Sequence, residues 1–88
     1  MSVVLKYQLG PITTLDLPPH SRVRAVGRDA NGTPSIWIEA EHAEPGATRW
    51  RFMVIGTGWD VPAAAAYVGT IFPTDLYPEV WHVYEVAT

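Results

Sequence analysis

Proline and glycine interrupt this chain throughout, and their spacing is the strongest constraint on its fold. Eight Pro and seven Gly are spread over 88 residues. The segments between them are about five to nine residues long, which suits β-strands and leaves no room for a long helix. We therefore predict a mostly β domain that spans residues 1–88. Its expected architecture is a small antiparallel sandwich or part-open barrel of about five or six strands.

Composition excludes several other classes of protein. The chain has no Cys, so it can form neither a disulfide framework nor a Cys-ligated metal site. With 48% apolar and 17% charged residues it is too hydrophobic for intrinsic disorder, and a net charge of −3 argues against nucleic acid as a partner. Lys6 breaks the N-terminal apolar run, and no run approaches the roughly 18 residues of a membrane helix. We expect a cytoplasmic protein without a membrane partner.

The middle of the chain carries the clearest strand signals. Residues 22–29 and 34–41 flank Asn31-Gly32, a pair that favours the two-residue type I′ turn of a β-hairpin. In the register set by that turn, Arg24 faces Glu39, and the other pairs across the ladder are also chemically matched. The sequence therefore predicts an antiparallel hairpin here.

A second turn is expected at residues 43–47, where Pro45-Gly46 suits the central positions of a type II turn. It leads into residues 48–55, which we pair with 34–41 to complete a three-stranded antiparallel meander over residues 22–55. One face of this meander carries the charged residues Arg22, Arg24, Glu39, Glu41, Arg49 and Arg51. The opposite face is apolar and carries Val23, Ala25, Ile36, Ile38, Trp50, Phe52 and Val54.

Further strands and one helix are expected on either side of the meander. Residues 3–9 alternate between apolar and polar, and residues 15–17 form a shorter extended piece. Near 61–67 a run of alanines favours a short helix, which makes the class a β-rich α+β fold. Residues 68–72 and 80–86 are rich in strand-forming residues. Both faces of the last strand carry aromatic residues, so the sequence does not decide which of them points inward.

Trp37 and Met53 are the candidate protein-binding residues. In the predicted meander they lie side by side on the charged face, with Arg24 and Arg51 beside them. An exposed Trp next to Met and Arg is typical of a hot spot for a partner protein. The alternative is that Trp37 and Met53 belong to a second layer of core, under a helix or a terminal strand.

The second candidate site is the run Gly56-Thr57-Gly58-Trp59-Asp60. Amides of a Gly-rich loop before a short helix can bind an anion, and Trp59 could stack on a base or sugar. We therefore assign these residues as a candidate ligand-binding site, although their spacing matches neither the phosphate-binding loop nor the dinucleotide fingerprint. The alternative is a tight strand-to-helix connection in which Asp60 caps the helix.

Residue patterns for catalysis or metal binding are not found. His20, His42 and His82 lie in separate segments without metal-ligand spacing, and the serines lack the context of an activated nucleophile. We therefore expect no catalytic residue, no metal and no cofactor, and we interpret the chain as a non-enzymatic protein.

Several short motifs resemble those of one protein family. They are Lys6-Tyr7-x-Leu9, Asn31-Gly32 with Trp37, Phe52-x-Val54-x-Gly56-Thr57-Gly58, Pro62, Tyr67-x-Gly69-Thr70 and Val80-Trp81-His82-Val83-Tyr84-Glu85. Over nearly its whole length the chain resembles small uncharacterised proteins encoded by actinobacterial phages and prophages. The resemblance implies a phage setting but no activity. Trp59 departs from the family pattern, in which we expect a smaller or polar residue.

We therefore expect a phage-encoded accessory protein that binds a host or phage protein and modulates host physiology or defence. The alternatives are a protein that sequesters a nucleotide signal at residues 56–60 and a minor structural protein of the virion. Four Trp, four Tyr and two Phe, together with few charges, also lead us to expect a homo-oligomer.

Overall fold

The computed structural model describes residues 1–41 and 45–87 and folds them into seven β-strands. In chain order these are β1 (Ser2–Gln8), β2 (Ile12–Leu17), β3 (Arg22–Arg28), β4 (Pro34–Glu41), β5 (Thr48–Gly56), β6 (Ala66–Ile71) and β7 (Trp81–Val86). None of the described residues forms a helix, so this part of the chain has no helix that could cross a membrane. His42 and the first residues of the predicted second turn lie outside the described residues.

Two antiparallel sheets make up the fold. One has three strands in the order β1-β4-β3, and the other has four in the order β2-β5-β7-β6. The sheets pack face to face, because residues from both of them form a single hydrophobic cluster. Its buried members are Leu9, Leu17, Ile36, Ile38, Phe52, Ile71 and Val83. The prediction of a mostly β fold is confirmed, with more strands than expected.

The short helix expected near 61–67 is not formed. Residues 61–65 contain one turn, closed by a hydrogen bond from the Ala65 amide to the Pro62 carbonyl oxygen at 3.1 Å, and β6 already begins at Ala66. Ala has a high helix propensity, but a helix nucleus is costly and too few residues separate Pro62 from β6 to extend it. Pairing of β6 with β7 therefore decides the conformation of this run.

The first hairpin forms, but its turn is not the predicted one. The Gly32 amide donates to the Asp29 carbonyl oxygen at 2.9 Å, and the Asp29 amide donates to the Thr33 carbonyl oxygen at 2.9 Å. Gly32 has a φ of 81°, whereas Asn31 has a negative φ. The connection is therefore a type I turn followed by a left-handed Gly, which is longer than the two-residue type I′ turn.

Asp29 stabilises this longer turn. Its Oδ1 accepts hydrogen bonds from the amides of Asn31 at 2.9 Å and Thr33 at 3.0 Å. Its Oδ2 accepts from Lys6 Nζ at 3.3 Å and Gln8 Nε2 at 3.4 Å. The Asp29 side chain is only 3% exposed. Burial raises the pKa of the Asp29 carboxyl, but these hydrogen bonds outweigh burial and lower the pKa below its ordinary value.

The longer turn changes the register in which β3 and β4 pair, and a β-bulge at Arg24 compensates for this change. β3 and β4 pair Val26 with Ile36, and the register slips before Val23 is reached. Because the bulge inserts one extra residue, Val23 and Val26 both pack against the core. The Arg24 side chain stays outside, where its Nε donates to Glu39 Oε1 at 2.7 Å.

The three-stranded meander predicted for residues 22–55 is wrong, because β4 and β5 lie in different sheets. Gly46 has a φ of 94°, which suits the predicted turn, but the chain changes sheet between β4 and β5. β1 pairs with β4 at the position expected for β5. Ile38 and Phe52 are fully buried as predicted, since alternation specifies the inward face of a strand but not its neighbour.

β7 is a central strand that lies between β5 and β6. Its inward face carries Val83, which is fully buried, and Trp81, which packs against the core. The outward face therefore carries His82, Tyr84 and Val86.

Candidate functional site

The predicted protein-binding residues do not share one surface. Trp37 and Arg24 belong to β4 and β3, and their side chains lie on the outer side of the three-stranded sheet. Met53 and Arg51 flank the buried Phe52 on β5, so they lie on the outer face of the four-stranded sheet. The predicted patch that combines Trp37 with Met53 is therefore wrong, because their strands lie in separate sheets.

Met53 instead belongs to a row of four side chains that crosses the outer face of the four-stranded sheet. Ile12 is opposite Met53, Met53 is opposite Tyr84, and Tyr84 is opposite Tyr67. The rings of Tyr67 and Tyr84 meet edge to face, with centroids 5.6 Å apart. Ile12 is 57% exposed and Tyr67 is 60% exposed. These four residues are called the apolar row below.

His82 lies beside the apolar row and joins two threonines. Its Nε2 is 2.8 Å from Thr57 Oγ1, and its Nδ1 is 3.1 Å from Thr70 Oγ1. Thr70 Oγ1 is in turn 2.6 Å from the hydroxyl of Tyr67. The imidazole is thus held between hydroxyl groups. Within the described part of the chain, no three His, Asp or Glu side chains come together as a metal site.

The candidate ligand-binding run, Gly56–Asp60, forms a turn that places Trp59 against the sheet. The Trp59 amide donates to the Gly56 carbonyl oxygen at 3.1 Å, and Gly58 has a φ of 89°, which favours Gly. A Cβ on Gly56 would come within 2.8 Å of Trp59 Cε2, so the absence of a side chain lets the indole lie on the backbone. This turn therefore holds an aromatic ring.

The predicted anion site at this turn is not supported. Its argument required a helix after Asp60, and residues 61–65 form none. The amide of Trp59 is already bonded within the turn. Asp60 is exposed and has no helix to cap.

Trp59 forms one wall of an open groove with a volume of about 410 Å³. The groove is lined by residues from both sheets and their connections: Leu9, Gly10, Pro11, Pro34, Val54, Trp59, Glu79 and Trp81. The ring centroids of Trp59 and Trp81 are 5.8 Å apart at an interplanar angle of 74°, an edge-to-face pair. Trp59 remains 61% exposed. Among the described lining residues, Glu79 is the only one with a charged side chain.

Residues 72–80, which lead to the groove, are attached to the first turn through Tyr77. The Tyr77 hydroxyl donates to the Asn31 carbonyl oxygen at 3.1 Å. The ring lies against Gly32, where a Cβ would come within 2.2 Å of ring atoms Cε2 and Cζ. Gly32 is therefore required both for its left-handed φ and for the close approach of this ring.

Arg28 makes the second attachment of this segment. Its Cζ lies 5.1 Å from the centroid of the Tyr77 ring. Its Nη1 donates to the Gly32 carbonyl oxygen at 3.1 Å, and its Nη2 donates to the Glu79 carbonyl oxygen at 2.7 Å. The main chain at Glu79 is thus fixed by a side chain from β3, which positions Glu79 at the groove.

Sequence reasoning identified Trp59 but missed its neighbours in the groove. Leu9, Pro11 and Pro34 resemble strand ends in the sequence, and Glu79 resembles an ordinary loop residue. The spacing of these residues does not link them to Trp59. The available signal is Gly56 three residues before Trp59, since a Gly at that distance lets the ring fold back on the backbone.

Fold and site together define an all-β protein of two packed antiparallel sheets with a groove walled by tryptophan. A family model described as Domain of unknown function (DUF7352) matches residues 1–88. The chain therefore belongs to this family. No curated protein and no solved structure matched the chain.

Proposed function

We propose that this chain is a non-enzymatic binding protein that takes a small ligand into the groove beside Trp59 and Trp81. The observation that carries the proposal is the groove itself, with a volume of about 410 Å³, aliphatic and indole walls, and one carboxylate. Small-molecule sites typically enclose about 300 to 1,000 Å³ and combine an apolar lining with a few polar groups.

The exposure of Trp59 supports a binding role over a purely structural one. A Trp that served only the core would gain stability from burying its indole, yet this side chain is 61% exposed. Gly56 provides the space that holds the ring at the groove. The protein therefore maintains an aromatic surface that a ligand can cover.

The charge of the groove favours binding over catalysis and disfavours the nucleotide ligand considered from the sequence. Glu79 has no second titratable side chain beside it among the described lining residues, whereas acid–base catalysis usually needs a positioned pair. Its carboxylate would also repel the phosphates of a nucleotide. We therefore assign the groove to a ligand without a phosphate group.

A ligand screen read at the groove tests this function. Small aromatic and aliphatic compounds of neutral, cationic and anionic charge are titrated into isotopically labelled protein, and amide NMR shifts and Trp fluorescence are followed. We expect hits that move the resonances of Leu9, Val54 and Trp81. A screen in which no charge class gives a hit at the groove would overturn the proposal.

Two tryptophan variants locate the binding. Trp59→Ala removes a wall of the groove, and we expect the affinity of a hit to fall about tenfold or more, as for a truncated hot-spot Trp. Trp37→Ala is the matched control, because Trp37 lies on the outer side of the other sheet. Equal losses in both variants would place binding elsewhere.

A second candidate function is binding of a host or phage protein through the apolar row. Two members of the row are more than half exposed. Arg51 is adjacent to Met53 on the same strand, and none of the described residues forms an ion pair with it. The complementary partner surface is therefore apolar with an acidic border. In that role the chain would act in the bacterial cytoplasm as a phage accessory protein that modulates host physiology or defence.

Charged substitutions test this second candidate. A partner identified by cross-linking is purified and titrated against Met53→Glu and Arg51→Glu, and we expect both variants to lose binding. Val4→Glu is the control, because Val4 is an exposed residue of β1 in the other sheet. Sedimentation velocity of the chain alone measures the expected homo-oligomer, and dissociation of that oligomer by Met53→Glu would assign the apolar row to a second copy instead.

A further inference from the structure

The electrostatic character of the groove is set by one carboxylate. Glu79 is the only charged residue among the described residues that line it, and its side chain is 53% exposed. The remaining lining atoms belong to aliphatic side chains, glycine and two indoles. A ligand that enters the groove therefore meets a negative group in largely apolar surroundings, where charge interactions are stronger than in water.

Arg28 forms an ion pair with this carboxylate, but Arg28 is not among the residues that line the groove. The Arg28 side chain is 8% exposed, whereas that of Glu79 is 53% exposed. The hydrogen bonds of Arg28 go to main-chain carbonyl oxygens, and its Nη2 lies 3.6 Å from Glu79 Oε2, within ion-pair distance. Arg28 thus positions the main chain at Glu79, and the carboxylate is the exposed member of this ion pair and the one that lines the groove.

The two indoles favour the same sign of ligand charge. Among aromatic side chains, the face of a Trp ring attracts cations most strongly, and the attraction increases when the cation is desolvated. An ammonium with N–H groups is strongly hydrated, whereas an alkylated ammonium presents carbon to the apolar walls. The charged group that fits is therefore a fully alkylated, quaternary ammonium.

We propose that the groove binds a small organic cation, an alkylated ammonium on a compact apolar body, with Glu79 as its counter-ion and Trp59 and Trp81 as its aromatic walls. This inference rests on the proposed function and specifies its ligand. A neutral ligand would cover the carboxylate without replacing its water, which is unfavourable. An anion would be repelled by Glu79.

Three related alcohols, of which choline and its uncharged analogue have the same shape, test the charge and its alkylation. Choline carries a trimethylammonium group, 3,3-dimethylbutan-1-ol replaces that nitrogen by carbon, and ethanolamine carries a primary ammonium. Binding to the full chain is measured by calorimetry and Trp fluorescence at low salt. We expect choline to bind about tenfold more tightly than either analogue, and we expect added salt to weaken binding of the two cations but not of the uncharged alcohol.

Glu79→Gln tests the counter-ion. We expect choline affinity to fall about tenfold in this variant, with no loss of affinity for 3,3-dimethylbutan-1-ol. Glu85→Gln is the matched control, because it removes the same charge from β7 at a residue that does not line the groove. Circular dichroism and thermal unfolding confirm that both variants are folded.

The outcomes separate this inference from the proposed function. If the uncharged alcohol binds as tightly as choline, or if Glu79→Gln leaves choline affinity unchanged, the cation assignment is wrong and the groove remains a small-molecule site. If cations fail to bind at millimolar concentration while neutral compounds from the screen do bind, the assignment is equally wrong. If no compound of any charge binds, the proposed function fails as well.

Discussion

Two turns of this protein each bring an aromatic ring against a glycine, and they differ in how firmly the ring is held. At the first turn, Asp29–Thr33, the ring of Tyr77 lies where a Cβ on Gly32 would be 2.2 Å from ring atoms. At the second turn, Gly56–Asp60, the ring of Trp59 lies where a Cβ on Gly56 would be 2.8 Å from ring atoms. Both glycines therefore provide space for a ring.

The hydrogen bonds around the two turns are distributed unequally. The Asp29 carboxylate alone accepts four at the first turn, and the Tyr77 hydroxyl adds another. The second turn has one internal hydrogen bond and one contact from Thr57 to His82. A turn in which a ring packs against glycine can therefore either stabilise the fold or present an aromatic surface. Which of the two it does depends on the other hydrogen bonds that hold the turn.

Gly32→Ala should have the largest effect of the substitutions considered. The variant forces a non-Gly residue into a left-handed φ and inserts a methyl group into the Tyr77 ring. We expect the free energy of unfolding to fall by about 2 to 4 kcal/mol, measured by urea denaturation.

Tyr77→Ala provides the control for Gly32→Ala. With the ring removed, the steric part of the effect disappears, so the cost of Gly32→Ala should drop to about 1 to 2 kcal/mol in the double variant. An undiminished cost would show that the ring contributes nothing and that backbone conformation alone requires Gly32.

Asp29→Asn should have a smaller effect, since Asn keeps the shape of the side chain and one acceptor oxygen. Hydrogen bonds lower the folded-state pKa of Asp29 despite its burial, so its contribution to stability is complete above the unfolded pKa of about 4 and is lost as pH falls through the folded value. We expect the variant to be less stable at pH 7, with the difference shrinking in acid.

Asp60→Asn is the matched control for Asp29→Asn. It removes the same charge from the exposed end of the second turn. We expect its free energy of unfolding at pH 7, measured by urea denaturation, to stay within about 0.5 kcal/mol of the wild type. Equal destabilisation by both variants would show that net charge, rather than the Asp29 hydrogen bonds, matters.

The first turn also shows where prediction of the fold from sequence ends. Alternation correctly placed Ile36, Ile38 and Phe52 in the core, because a strand with one buried face must repeat every second residue. The Asn31-Gly32 pair correctly located the turn. The Asp29 carboxylate accepts hydrogen bonds from two amides of this turn, and these favour a longer turn than the predicted one. The choice of β1 over β5 as the neighbour of β4 depends on contacts distant in sequence, which local patterns do not encode.

The second turn shows the same limit for the site. Trp59 was recognisable as a candidate from its unusual position after Gly56 to Gly58. Its predicted role as part of an anion site depended on a helix at 61–67, and pairing of β6 with β7 prevents that helix. Glu79 reaches the groove only because Arg28 and Tyr77 hold the segment before β7, an arrangement that no sequence spacing reveals.

Gly56→Ala should cost less stability than Gly32→Ala. Trp59 is largely exposed and can move away from the new methyl group, and Gly56 lacks the positive φ that penalises Ala. We expect a loss of less than about 1 kcal/mol in urea denaturation. Ligand affinity at the groove should nevertheless fall, because the displaced indole no longer forms its wall. Preserved affinity would show that the position of Trp59 does not matter.

Apart from the control variants, Thr57→Val should have the smallest effect. It tests whether the contact with His82 stabilises the second turn. The substitution removes the contact between Thr57 Oγ1 and His82 Nε2 but keeps the shape of the side chain. Since Thr57 is exposed, water can replace its hydroxyl, and we expect a loss below about 1 kcal/mol in urea denaturation, with Thr57→Ser close to the wild type. A loss of stability as large as that of Gly32→Ala would show that the second turn stabilises the fold as much as the first. The two turns would then differ only in the exposure of their aromatic rings.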